Sequence, residues 1–217
     1  LTDNVSYSGN VYYIDCENGD DNNTGLSPQQ SWRSTFKVRT KTFFHYWDSV
    51  APNDNRYGAT ACFPYHQPWI SAPNGSAFLF KRGCFFEGYL GVSPYPFRTN
   101  FTFGVYGDKT RPRPTIKYTW FNCSSGNPLR SYGITFHLRN LHLIGNSTDG
   151  GGWDVVATGG ADNSEIINSE LENSYGDGIL ADYAENFIVL NSIIFNTSVS
   201  GARGGGLAGG MTNNFRI

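Results

Sequence analysis

The sequence has little charge, a single methionine and no apolar run long enough to cross a bilayer. Charged residues make up 16% of the chain, and the formal net charge is −2. A nucleic-acid-binding surface of the usual basic kind is not indicated by this balance. A membrane-spanning helix needs about 20 consecutive, mostly apolar residues. We therefore expect neither nucleic acid nor a membrane as a partner.

Cysteine is scarce, and no CxxC pair occurs, which argues against the usual zinc motifs. The four cysteines are Cys16, Cys62, Cys84 and Cys123. An even number suits two disulfides, for which three connectivities exist. We predict that all four are paired. We favour a bond between Cys16 and Cys84, because both directly follow early strands, which leaves Cys62 for Cys123.

Asparagine, serine and threonine are abundant and produce seven N-glycosylation acceptors. We predict a secreted, extracellular glycoprotein with N-linked glycans on several of these sites, and with Asn146 and Asn196 on exposed turns. The alternative is that these residue types are simply common in β-turns. Leu1 to Asn10 is polar and unlike a signal peptide, so a secreted chain would be the processed form. The acceptors are Asn4, Asn22, Asn74, Asn100, Asn122, Asn146 and Asn196.

Short runs of β-formers, separated by turn residues, indicate strands in the first half of the chain. Residues 30–50 have mixed apolar spacing, and one side of a helix there would carry Phe36, Val38, Phe43, Phe44 and Trp47. Residues 51–76 contain four prolines and are predicted to form a long loop. The strands are predicted at 11–16, 77–82, 101–107 and 114–120.

Weak internal repetition begins near residue 133. ADNSEIINSELEN at 161–173 aligns with AENFIVLNSIIFN at 184–196, an offset of 23, and DVVA at 154–157 aligns with GILA at 178–181, an offset of 24. NLHL at 140–143 aligns with NSEL at 168–171, and NFRI at 214–217 repeats NFIV at 186–189, both at an offset of 28. A unit of this size cannot bury its own core and must stack on its neighbours, as solenoid coils do. Equivalent residues would then lie one strand spacing apart, about 4.8 Å. The predicted stacks are Val155–Ile179–Leu207, Ile166–Val189 and Leu171–Ile194, with an amide ladder of Asn168 over Asn191.

Three segments resemble the pectate-lyase-like, or pectin-lyase-fold, superfamily: VYYIDCENGDDNNTGLSPQQSW, FLFKRGCFFEG and GVYGDKTRPRPTI, followed by the repeats. The resemblance implies an all-β fold, a right-handed parallel β-helix (solenoid). Its N-terminal capping segment would contain a short helix and long loops. We expect one domain, 1–217, with a cap and loop insertion at 1–76 and coils at 77–217, which a longer chain would continue past 217. The 51–76 insertion and Cys84, where the family often has an acidic residue, depart from the pattern.

The resemblance allows lyase chemistry, which needs a cation for the uronate carboxylate and a base for the C5 proton. No lysine follows Lys117. Arg139, in HLRNLHL between His137 and His142, is therefore the best candidate. Tyr118, Trp120 and Phe121, or Tyr65, His66 and Trp69, would stack on sugar rings if exposed; the alternative is packing in the core or cap.

A hydrolase would instead need clustered carboxylates from adjacent coils. Asp154 and Asp177 occupy nearly equivalent positions, although Asp-Gly at 177–178 also suits a plain turn. With Asp149 and Asp182 they would provide oxygen ligands for Ca²⁺; no other cofactor is indicated. A second acidic cluster, Asp15, Glu17, Asp20 and Asp21, lacks EF-hand spacing and is interpreted as a solvated turn.

Two classes of function remain. The first is a non-catalytic extracellular β-helix, structural, fibre-forming or associated with glycans, and the second is a polysaccharide lyase or, less favoured, a glycoside hydrolase acting on acidic polysaccharides. Residues 1–117 carry twelve basic and nine acidic side chains, whereas residues 118–217 carry four and nine. This asymmetry favours a head-to-tail homo-oligomer or filament, in which an acidic half docks on the basic half of the next molecule. A fragment of a longer β-helix is the alternative.

Overall fold

The computed structural model describes residues 5–42, 72–88, 90–92, 100–118, 129–132, 135–145, 155–197 and 206–208. These ranges contain a 3-10 turn at Pro28–Gln30 and one α-helix, α1, at Thr35–Thr42. All remaining regular structure is strand. The strands are β1 Val11–Ile14, β2 Ser76–Lys81, β3 Phe85–Glu87, β4 Leu90–Val92, β5 Asn100–Tyr106, β6 Thr115–Lys117, β7 Leu129–Tyr132, β8 Thr135–Arg139, β9 His142–Ile144, β10 Val156–Gly159, β11 Glu165–Ile167, β12 Glu170–Glu172, β13 Ile179–Asp182, β14 Ile188–Leu190, β15 Ile193–Phe195 and β16 Leu207–Ala208.

The strands form three sheets, and the paired strands in all three are parallel. Sheet A has the order β1-β2-β5-β8-β11-β14, sheet B the order β3-β6-β9-β12-β15, and sheet C the order β4-β7-β10-β13-β16. From β2 onward the chain visits sheets A, B and C in turn, so each circuit adds one strand to every sheet. The prediction of a mostly-β chain built from parallel strands is confirmed.

Large apolar side chains fill the inner face of each sheet, because residues alternate between the two faces of a strand. In sheet A the inner row is aromatic in the first strands and aliphatic in the later ones. The rings of Tyr12 and Phe78 stack at 5.2 Å, and those of Phe78 and Phe103 at 5.7 Å. The row consists of Tyr12, Phe78, Phe103, Leu138, Ile166 and Val189, all buried.

The observed register tests the predicted repeats. Ile166 pairs with Val189 and Leu171 with Ile194, so both of these stacks are confirmed. The third stack is wrong by one residue, because Ile179 pairs with Val156, and not with Val155, before pairing with Leu207. The predicted pair Val155–Ile179 is 24 residues apart in the sequence, whereas paired residues on β10 and β13 are 23 residues apart. The 214–217 repeat lies outside the described residues.

Asparagines occupy the corners between strands in a left-handed backbone conformation. Asn140, Asn168 and Asn191 follow successive strands of sheet A, with φ of 59°, 50° and 48°. Asparagine tolerates this region better than other non-glycine residues. The amide-to-amide hydrogen bond expected between Asn168 and Asn191 is found one corner away, where Asn186 Nδ2 donates to Asn163 Oδ1 at 3.1 Å. The repeated asparagines Asn163 and Asn186 therefore have the structural role expected of Asn168 and Asn191.

A disulfide between described residues joins the segment after β1 to the segment after β2. Cys16 and Cys84 are bonded, with their Cα atoms 5.7 Å apart. The reason given from the sequence also holds, since β1 and β2 are neighbours in sheet A. Cys62 and Cys123 lie outside the described residues, so their pairing stays a prediction.

The described helix α1, at Thr35–Thr42, is less amphipathic than expected. Val38 is fully buried, whereas Phe36 is 36% exposed. Positions 36 and 38 are two residues apart and therefore point to different sides of a helix. Phe43, Phe44 and Trp47 lie outside the described residues. No described helix is long and apolar enough to span a membrane.

Candidate functional site

The candidate site is on the outer face of sheet A, where polar side chains from three adjacent strands line up. Thr102 on β5, His137 on β8 and Glu165 on β11 are partners in the parallel register. Arg139 lies two residues beyond His137 and therefore projects from the same face. Neighbouring strands are about 4.8 Å apart, which places these side chains within mutual reach.

Glu165 is the centre of the group. Its Oε1 accepts a hydrogen bond from Arg139 Nε at 2.8 Å and a second one from Arg139 Nη2. His137 Nδ1 lies 3.0 Å from the same oxygen, although the ring is not well aligned for a hydrogen bond. The exposed fraction of the side chain rises from 16% for Glu165 to 24% for His137 and 33% for Arg139. The Glu165 carboxylate is thus more buried than the His137 imidazole and the Arg139 guanidinium, which reach further toward solvent.

Electrostatics favour the ionised form of Glu165. Its contact with His137 lowers the pKa of the carboxyl group, burial raises it, and Arg139 lowers it again. The net effect is a pKa below the usual range for glutamate. The group therefore carries a fixed negative charge beside the fixed positive charge of Arg139.

Residues 5–8 pass over this face and form the other wall of a cleft. The segment is anchored where Gly9 N–H donates to Gly75 O at 3.1 Å and Asn10 N–H donates to Ser76 Oγ at 3.1 Å. Gly75 has a φ of 77°, in the left-handed region that favours glycine, and a Cβ there would lie 1.9 Å from Ser8 Oγ. The cleft has a volume of about 140 Å³ and is lined by Val5, Ser6, Tyr7, Ser8, Gly75, Asn100, Thr102, His137 and Arg139.

A second histidine–glutamate group lies on sheet B, away from the cleft. His142 Nε2 is 3.2 Å from Glu172 Oε1, and its Nδ1 is 3.3 Å from Thr115 Oγ1. Arg113 forms an ion pair with Glu170 on the same face. The structure therefore separates His142 from Arg139 and His137, with which it was grouped in the sequence.

The predicted carboxylate pair is only partly described. Asp177 precedes β13, and its carbonyl oxygen accepts a hydrogen bond from Val155 N–H at 3.2 Å. Asp182 is the last residue of β13. Asp154 and Asp149 lie outside the described residues, as do five of the six predicted sugar-stacking residues, whereas Tyr118 is buried. The hydrolase pair and the Ca²⁺ site stay predictions.

The N-terminal acidic cluster is structural, but one member departs from the expected solvated turn. Asp15 is 5% exposed and binds Lys81 Nζ at 2.8 Å. Lys81 also pairs with Glu17, which accepts two hydrogen bonds from Arg111. Asp20 and Asp21 accept hydrogen bonds within their own loop. In the part of the chain that is described, no three His, Cys, Asp or Glu side chains converge as metal ligands would.

The glycosylation acceptors differ in their surroundings. Asn22, Asn74 and Asn196 are exposed. Asn100 is half-buried in the cleft, and its N–H donates to Asn74 Oδ1 at 2.7 Å. Asn4, Asn122 and Asn146 lie outside the described residues. Glycan attachment at several of the seven positions stays a prediction.

Glu165 is the residue that sequence reasoning missed. The offset of 28 that aligns NLHL with NSEL also relates His137 to Glu165. Extending that alignment by a few residues toward the N-terminus would have placed the glutamate beside the histidine. The contribution of residues 5–8 had no comparable signal, because the segment belongs to no repeat.

Comparisons with known proteins give structural neighbours only. No family model matches the chain, and no curated protein does. The chain is similar to a GH136 lacto-N-biosidase from Eubacterium ramulus, at 14% identity and TM-score 0.40, over 83% of this chain and 44% of that one. The selenomethionine derivative of the same enzyme is 14% identical with a TM-score of 0.41, over 95% of this chain and 50% of that one. A rhamnogalacturonan lyase is 12% identical with a TM-score of 0.44, over 94% of this chain and 62% of that one.

By name these neighbours are carbohydrate-active enzymes. The chain spans about half the length of the lacto-N-biosidase and 62% of the lyase. With TM-scores below 0.5, the function must be inferred from the residues of this chain. None of the comparisons demonstrates the pectate-lyase-like resemblance, which stays a prediction.

Proposed function

We propose that the chain is a secreted, right-handed parallel β-helix protein that binds acidic saccharides in the cleft beside residues 5–8, without converting them. The observation that carries the proposal is the convergence of Arg139 and His137 with two uncharged polar residues, Asn100 and Thr102, in that cleft. Secretion is supported by the Cys16–Cys84 disulfide, which is typical of oxidising compartments.

The path of the chain supports the β-helix. Each circuit through sheets A, B and C adds one parallel strand to each sheet, and equivalent apolar residues stack in the interior. Right-handedness is what parallel crossover connections strongly prefer. The outer faces of the strands are then available for an extended ligand.

The donors and acceptors in the cleft suit a sugar acid. Arg139 uses two of its five N–H donors on Glu165, and three remain for a carboxylate. Arginine binds carboxylates through such paired N–H groups. The amide of Asn100 and the hydroxyl of Thr102 suit sugar hydroxyls, which both donate and accept hydrogen bonds. Small sites of this kind gain specificity from a few placed polar groups.

Calorimetric titration with galacturonate oligosaccharides, and with neutral oligosaccharides for comparison, tests this proposal. We expect binding of the acidic ligand and a roughly tenfold to hundredfold loss in Arg139→Ala, the usual cost of one charged hydrogen-bonding group. Arg113→Ala is the matched control, since Arg113 forms an equivalent ion pair with Glu170 outside the cleft. Equal binding by Arg139→Ala and the intact protein would show that the site is elsewhere.

The pairing of His137 with Glu165 favours a polysaccharide lyase as the second candidate. A carboxylate beside Nδ1 leaves Nε2 as a base. The imidazole would take the C5 proton of a uronate, and the electron pair of the broken C5–H bond would form the C4–C5 double bond. The glycosidic C4–O bond would break at the same time, and water would protonate the leaving oxygen. Incubation with acidic polysaccharides tests this route. An ultraviolet-absorbing unsaturated uronate that His137→Gln fails to produce would establish it.

A further inference from the structure

The charges of the cleft cancel when His137 is neutral. The side chains around its imidazole are Glu165 on β11, Arg139 on its own strand and the uncharged Thr102 on β5, and Tyr7 of the N-terminal segment lines the same cleft. Arg139 and Glu165 contribute one positive and one negative charge. An entering carboxylate would therefore meet the Glu165 carboxylate as well as the guanidinium, and like charges at close range oppose binding.

We propose that an acidic sugar enters this cleft together with one proton, which His137 takes up, so that the saccharide is bound by a doubly cationic pair. The inference rests on the proposed saccharide-binding function and adds a proton to its binding equilibrium. Protonation changes the net charge of the group from zero to +1, which offsets the charge of one sugar carboxylate. Binding is consequently strongest in mildly acidic solution.

His137 is the proton acceptor because the alternatives in the cleft are poorer. The pKa of Glu165 is already held below its usual range, so this carboxylate is a weak acceptor near neutral pH. Arginine remains protonated throughout the physiological range. Imidazoles change charge between about pH 5 and 8. The 3.0 Å approach of Nδ1 to Glu165 Oε1 favours a proton on that nitrogen by charge attraction, although the ring is not aligned for a hydrogen bond, and this leaves Nε2 for the incoming proton.

Calorimetry measures this proton directly. The full chain is titrated with a galacturonate oligosaccharide at fixed pH in two buffers that differ in ionisation enthalpy, and the difference in heat gives the number of protons taken up. We expect between half a proton and one proton near neutral pH. The dissociation constant should rise about tenfold per pH unit on the alkaline side, as one linked proton requires.

Two histidine variants separate the cleft from other titrating groups. His137→Gln keeps a polar side chain that cannot ionise, and it should bind with the weak affinity of the intact protein at alkaline pH, with no proton uptake. His142→Gln is the matched control, because His142 contacts Glu172 in the same way on another sheet. It should retain the full proton uptake. Circular dichroism melts confirm that both variants are folded.

The outcomes distinguish this inference from the proposal beneath it. Binding of the oligosaccharide without proton uptake, or uptake that persists in His137→Gln, overturns the inference and leaves saccharide binding intact. No binding at any pH between about 5 and 8 overturns the proposed function itself. Uptake that His137→Gln abolishes also argues against the lyase, because an imidazole protonated on binding is unable to act as the base.

Discussion

At the scale of single residues, the clearest stabilising group is the buried carboxylate of Asp15. Its Oδ1 accepts the backbone N–H groups of Glu17 and Asn18, and its Oδ2 binds Lys81 Nζ at 2.8 Å. Burial raises the pKa of Asp15, but the Lys81 contact and the backbone hydrogen bonds together lower it by more. The net pKa of Asp15 is therefore below the usual value of 3.8. A folded-state pKa below the unfolded value stabilises the protein above that unfolded value, and this contribution is lost as the pH falls through the folded-state pKa.

Lys81→Met should therefore destabilise the protein by about 2 kcal/mol at neutral pH. Breaking a fully buried pair costs ~3–5 kcal/mol, and Lys81 is 21% exposed, which screens part of that cost. The dependence of stability on pH below about 5 should also become shallower. Urea denaturation across this range measures both effects. Lys117→Met, at an exposed lysine of sheet B, is the control and should change the free energy of unfolding by less than about 0.5 kcal/mol.

At the scale of the element, equivalent corners between strands hold residues that differ in how well they tolerate a left-handed backbone. Gly160 and Tyr183 occupy the same corner in consecutive circuits, since Gly159 pairs with Asp182. Both are in the left-handed region, with φ of 64° and 53°. Glycine adopts this conformation freely, whereas a bulky side chain is strained there. Tyr183 is 64% exposed and gains little from packing in return.

Tyr183→Asn should stabilise the protein by about 1 kcal/mol, the cost of holding an ordinary side chain in the left-handed region. Thermal denaturation would show a higher midpoint. Tyr183→Phe keeps the strain and should melt with the intact protein. A lower midpoint for Tyr183→Asn would mean that the tyrosine ring contributes more than its exposure indicates.

Sequence reasoning found these elements to different degrees. The alignment of 161–173 with 184–196 placed Ile166 over Val189 and Leu171 over Ile194 correctly, because these two segments match at the same offset of 23 that separates the paired strands. It failed by one residue at Val155, where two consecutive valines are both buried and the pattern does not identify which one faces Ile179. Successive circuits also differ in length, so composition alone cannot align one with the next.

At the scale of the whole molecule, the Cys16–Cys84 disulfide joins the segment after β1 to the segment after β2. Cys16 and Cys84 are separated by 68 residues, and Cys84 is 2% exposed. The pairing was predicted because strands that neighbour one another end near each other. The cleft was not predicted, because it combines residues 5–8 with strands that follow about a hundred residues later, and no local pattern connects such distant segments.

Replacing both Cys16 and Cys84 with serine should lower the free energy of unfolding by up to about 4 kcal/mol, the chain-entropy value for a loop of this length. Guanidinium denaturation of the double variant against the intact protein measures the change. The cleft depends on the same N-terminal segment, so saccharide affinity should be measured on the variant too. A change below about 1 kcal/mol would show that the ion pairs of Asp15 and Glu17 hold the segment by themselves.

The connections between sheets B and C differ in length without changing the pairing of the strands. Eleven residues connect β9 to β10, whereas six connect β12 to β13, and yet both connections leave the rows of sheets B and C in register. The corner between those sheets thus accommodates five extra residues without a shift in register. We expect an epitope or a peptide tag inserted into the longer connection, between β9 and β10, to leave the paired strands of sheets B and C in register, which would make the molecule a scaffold for display.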